Sequence, residues 1–133
     1  MRTEHVCMLA LIFLQFVVWM PYVLNMVSRI GLFNAIGYDY HESPYARWAE
    51  RMKKAHYNMV ENHFIFFGLV FLLHVSNGFT DDTALASVIY VAARVVHLMA
   101  YTLAIPFGAR TLSFAVALVA KVSIAIHLLG AIS

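Results

Sequence analysis

The chain has 133 residues, 62% of them hydrophobic and 12% charged, with a net charge of +2 and a mean hydropathy of +0.76. Soluble domains run at about 45–50% apolar and about 25% charged residues, so a water-soluble fold of this length is excluded and lipid is the expected solvent. The small net charge, with no basic run interleaved with aromatics, excludes nucleic acid as a partner, and the lone Cys7 excludes an intrachain disulfide.

A single domain, residues 1–133, with four membrane helices over about 6–27, 44–76, 83–104 and 110–132 is expected. Val6–Val27 is 22 residues without a charge, a helix of roughly 33 Å in which Pro21 predicts a kink. Arg2 ahead of an apolar run is also how a signal peptide begins. This run exceeds an h-region of about 7–15 residues and no small-x-small site follows, so the span is expected to stay. Residues 28–43 form the only sizeable connection. The second helix is expected to start with Ser43 as N-cap and Pro44 in the first helical position, and to stop near Asn77-Gly78. At about 45 Å it outlasts the bilayer, so its first turns protrude into water. The third follows a cap at Asp81-Asp82 and ends ahead of Pro106, and the fourth starts near Arg110.

Lysine and arginine set the expected orientation. Arg29, Arg47, Arg51, Lys53, Lys54 and Arg110 fall on one side and only Arg2 on the other. The positive-inside rule then puts loops one and three in the cytoplasm and both termini on the opposite side.

Two polar stripes interrupt this apolar chain. Arg47, Arg51, Lys54, Asn58 and Glu61 share one face of the second helix, and Ser87, Tyr90, Arg94, His97 and Tyr101 one face of the third. An arginine near mid-span costs at least about 2.5–3.5 kcal/mol unless it meets a partner or water, and Glu61 is the nearest acid. The stripes are therefore expected to face each other. A buried Glu61–Arg94 pair could do no more than fix helix register. That reading accounts poorly for Lys54, Asn58, His97, Tyr101 and Arg110 at one depth, a mixture suited to an anionic ligand with peptide groups. His63 and His74 read as packing residues, and a haem between His97 and His74 or His127 lacks an attachment motif. Lys121 lies mid-span and demands a partner that the sequence does not name. Metal-ligand spacing, a nucleophile–base set and a phosphate-binding glycine loop are all missing.

"ERMKKAHYNMVENHFIFF" and "ARVVHLMAYTLAIPFGARTLSF" resemble the MAPEG family, the membrane-associated proteins of eicosanoid and glutathione metabolism. The first is similar to that family's E-R-x-x-[RK]-A-H-x-N-x-x-E-N pattern. The second is similar to its A-R-x-x-H-x-x-x-Y pattern, followed nine residues on by an arginine. The likeness covers residues 47–115 closely and is strongest to the microsomal glutathione transferase and prostaglandin E synthase branch.

That resemblance implies a four-helix protomer, a homotrimer, and glutathione held between protomers near the cytosolic face. It implies glutathione contacts at Arg51, Lys54, Asn58, Glu61, Arg94, His97 and Tyr101, and more loosely at Arg29. Arg110 falls at the arginine beside the glutathione sulfur, with the Thr111 hydroxyl next to it. The implied reaction is transferase or peroxidase chemistry on a lipophilic electrophile. A non-catalytic trimer that binds lipid or a protein partner is the alternative within the same family. Departures from the pattern are Lys54 for an arginine, Tyr57 for the arginine of the prostaglandin synthases, and Ile65 for a proline. Asp39 matches the acid proposed for prostaglandin chemistry only across a shorter loop.

Overall fold

Apolar runs and their end signals become helices in the computed structural model, which describes residues 1–38 and 42–133; Asp39 lies outside the described residues. The helices are α1 (Thr3–Ile30), α2 (Leu32–Ala35), α3 (Arg47–Val75), α4 (Asp81–Thr102) and α5 (Ala109–Ile132). All but α2 are long and apolar enough to cross a membrane.

The ends differ from expectation in instructive ways. α1 runs through Pro21 and stops at Gly31, whose φ of +81° suits glycine alone. α3 begins at Arg47, three residues after Pro44, and Ser43 does not cap it. The reason is tertiary: the Ala46 N–H donates to Asn25 Oδ1 of α1 at 2.8 Å, and Pro44 is buried, so this segment stays extended against the bundle. α4 is capped by Thr80 rather than by the aspartates. Thr83 N–H donates to Thr80 Oγ1 at 3.2 Å and Thr80 N–H to Thr83 Oγ1 at 2.9 Å, a reciprocal box. Asp81 and Asp82 occupy the first turn, where they complement the helix dipole.

The long helices run alternately up and down. At one end Thr83, opening α4, bonds Glu4 of α1, and Asp82 meets His127 late in α5. At the other, Arg51 early in α3 bonds the Thr102 carbonyl that ends α4, next to the start of α5. α3 and α4 form the central pair, with α1 and α5 on opposite sides and out of contact among the described residues. Half of the apolar stretch of α4 is buried, against 22–28% in the other three, so α4 is the inner helix.

Two cores fill the bundle. Phe66 stacks on Tyr90 at 4.4 Å within the larger one, which also holds Leu11, Val70, Leu73, Ile124 and Leu128. A smaller one, Val18, Ala55, Met59 and Leu98, supports the end where α3, α4 and α5 present their polar groups. The outer surface is apolar, with Phe13, Phe16, Phe64, Phe71 and Val119 exposed, which suits lipid or another subunit and not water.

Candidate functional site

A polar stripe on an inner helix must meet something at its exposed end. Asn58 of α3, His97 and Tyr101 of α4, and Arg110, Thr111 and Phe114 of α5 line one cavity of about 330 Å³. An adjoining cavity of about 290 Å³ shares Tyr101, Arg110 and Thr111 and adds Arg51, Ala104 and Gly108. Two arginines and no carboxylate line the pair, so the local field favours an anion.

The chain builds this end from short-range constraints. Between α4 and α5 it reverses over six residues, with Ala104 at φ +54°, Phe107 at +64° and Gly108 at +72°. A left-handed conformation at a non-glycine residue costs about 1–3 kcal/mol, so two strained residues flank the proline in the turn that walls the second cavity. The turn sets Arg110 one position into α5, where its guanidinium lies over the Tyr101 ring at 4.8 Å. His97 Nδ1 meets the Arg110 carbonyl at 3.0 Å, tying α4 to the first turn of α5. Arg51 Nε donates to the Thr102 carbonyl at 3.0 Å and so satisfies one of the free carbonyls at the end of α4.

Behind the cavity, Arg94 Nη2 donates to Asn58 Oδ1 at 2.9 Å. That bond turns the Asn58 amide so that its NH₂ group is left to the cavity it lines. The expected Glu61–Arg94 pair is absent, and this is a correction to the facing-stripe reading. The inward face of α3 is marked by buried Ala55, Met59, His63 and Phe66. Glu61 lies two residues from both Met59 and His63, about 200° around the helix, and is exposed. Asn58 sits on the inward flank instead and takes the arginine.

The match to known families adds to this geometry. A sequence model of the MAPEG family matches residues 7–130. The chain belongs to the MAPEG family. With its four apolar helices it is a multi-pass integral membrane protein. No curated protein matches the chain.

The positions that the MAPEG resemblance singles out divide into four groups. Asn58, His97, Tyr101, Arg110 and Thr111 share one cavity, Arg51 lines the next, and Arg94 stands behind Asn58. Lys54 lies outside, paired with Glu50 at 3.3 Å on an exposed face, and Arg29 and Glu61 are exposed as well. Phe114 completes the cavity and escaped the sequence reading, although it follows Arg110 by four residues and so lies on the same face. Lys121 finds its partner in Asn62, whose Oδ1 accepts from Nζ at 2.7 Å. The histidines are dispersed: His63 is buried against Tyr90, His74 packs on His5 and Phe79 at the far end, and His127 meets Asp82 there. None of them approaches His97 as a paired ligand would. A groove of about 580 Å³ between α4 and α5 is lined mostly by apolar side chains such as Leu85, Ile89, Val116 and Val119, with Asp82, Ser123 and His127 as its polar members.

Proposed function

We propose that this MAPEG protein is a glutathione-dependent membrane transferase or peroxidase acting on a lipophilic electrophile, closest to the microsomal glutathione transferase and prostaglandin E synthase branch. One observation carries the proposal: Arg110, Thr111, Tyr101, His97 and Asn58 converge on one cavity free of carboxylates. Arg51 supplies charge for a carboxylate, Asn58 and Tyr101 supply donors for peptide groups, and Arg110 is left for the sulfur, which fits an anionic tripeptide thiol. Glutathione would bring the nucleophilic thiol. With a reference pKa of about 8.5, a thiol is only a few per cent ionised at neutral pH. A guanidinium beside the sulfur would favour the thiolate, and the hydroxyl of Thr111, which lines the same cavity, would donate a hydrogen bond to it.

The site as one protomer builds it is unfinished, and a homotrimer would complete it. Glu61 is an exposed carboxylate within an apolar span, and a charge facing hydrocarbon is expensive. A neighbouring protomer, with glutathione bound between the two, would cover Glu61 and bring Lys54 and Arg29 into play. Loops one and three, with the cavities, would face the cytoplasm and both termini the opposite side, as the distribution of lysine and arginine requires. The electrophile would enter from the lipid between protomers.

A second reading is favoured by Lys54. It pairs with Glu50 on the surface instead of approaching the cavities, as a non-catalytic trimer that binds lipid or a protein partner would allow. Turnover separates the two. With glutathione and a chloronitroarene, Arg110→Ala should lower conjugation at least roughly tenfold while glutathione still binds, as expected for a lost charged hydrogen bond. Equal turnover in wild type and variant would remove Arg110 from the chemistry. No turnover in the wild type would leave the non-catalytic reading in its place.

A further inference from the structure

Lys121 is only 6% exposed and lies twelve residues beyond the start of α5, about 18 Å along the helix. It touches neither ligand cavity. Its ammonium donates to Asn62 Oδ1 at 2.7 Å, the one hydrogen bond between α3 and α5 among the described residues. The other end of the same amide, Asn62 Nδ2, donates to the Asn58 carbonyl at 2.8 Å. Asn58 Oδ1 in turn accepts from Arg94 Nη2 at 2.9 Å. A polar path thus runs from α5 through two asparagines of α3 to α4, and one of them, Asn58, lines the cavity. The Tyr90 ring lies 5.9 Å from the ammonium, with His63 packed against the same ring. Neither carries a carboxylate, so two buried cations, Arg94 and Lys121, stand behind the cavity with amide oxygens as their only hydrogen-bond partners among the described residues.

A lysine in a membrane span is costly, and a glutamine could reach Asn62 without that cost. What the lysine adds is charge. We propose that Lys121 is a positioning residue for the ligand cavity: through Asn62 it holds the turn of α3 that presents Asn58, and with Arg94 it makes the wall behind that amide positive. The inference rests on the reading of the cavity as a site for an anionic tripeptide thiol, and it assigns to α5 a second contribution beyond Arg110 and Thr111.

The test is calorimetry on detergent-purified protein with glutathione and with its diester, which carries less negative charge. Lys121→Gln keeps a donor for Asn62 but loses the charge; glutathione binding should weaken roughly tenfold and diester binding should hold. Lys121→Met loses both and should weaken both ligands, and combining it with Asn62→Ala should add little, since the two changes cut one path. Unchanged glutathione affinity in Lys121→Gln and Lys121→Met, with only thermal stability reduced, would make Lys121 a packing residue and overturn the proposal. Equal losses for glutathione and diester in Lys121→Gln would overturn its electrostatic half. A wild type that binds neither ligand would sink the glutathione reading itself and this inference with it, a result distinguishable from failure in the variants alone.

Discussion

Among the described residues Arg94 has no exposed surface and one hydrogen-bond partner, Asn58, while its Nε and Nη1 are unpaired. A guanidinium so enclosed depends heavily on that amide. Asn58→Leu should therefore cost about 3–5 kcal/mol, because it strands a buried charge. Replacing both residues by apolar ones, Asn58→Leu with Arg94→Met, should recover much of the loss. Thermal unfolding in detergent measures both; a double variant as unstable as the single would show that the guanidinium, not its pairing, holds the bundle. The sequence identified Arg94 as needing a partner but named the wrong one, and the cause is angular. Charge alone selects Glu61, whereas the inward face of α3 is decided by which of its apolar residues pack, and a step of three residues from Asn58 turns Glu61 outward. Lys121 went unassigned for a related reason: its partner is a neutral amide, which no charge rule picks out.

At the level of elements, α4 depends on Thr83 twice. Its backbone and hydroxyl close the capping box with Thr80, and the same hydroxyl donates to the buried carboxylate of Glu4. Thr80→Ala should cost about 1 kcal/mol, the usual worth of an N-cap. Thr83→Val should cost more, because it also leaves Glu4 buried without a partner. Equal shifts in unfolding temperature would deny the Glu4 bond any share. The long helices themselves were legible because 22 uncharged residues, or a stretch ending in Asn-Gly or before Pro, admit few alternatives. Their first residues were less so. Ser43-Pro44 carries every local sign of a helix start, yet Asn25, 21 residues before Ala46, fixes the chain there in an extended form. Such a contact has no local signature. The five-member convergence at Arg110 was readable only because two motifs with set spacings fall on helices that run antiparallel, which brings the end of one beside the start of the next.

Taken whole, the molecule buries Arg94, His97 and Lys121 inside and turns an apolar surface outward, while Glu61 stands exposed within the apolar span of α3. We propose that a neighbouring copy covers this carboxylate and that the cavities around Arg110 take glutathione at that junction. Calorimetry on the detergent-purified protein, wild type beside Glu61→Gln, tests this most directly. Because Glu61 is exposed and makes no hydrogen bond or ion pair within the described residues of the protomer, the variant should fold normally. Glutathione should bind the wild type and bind the variant at least roughly tenfold more weakly, as for loss of a charged hydrogen bond. The absence of any binding heat in the wild type at millimolar thiol would contradict it.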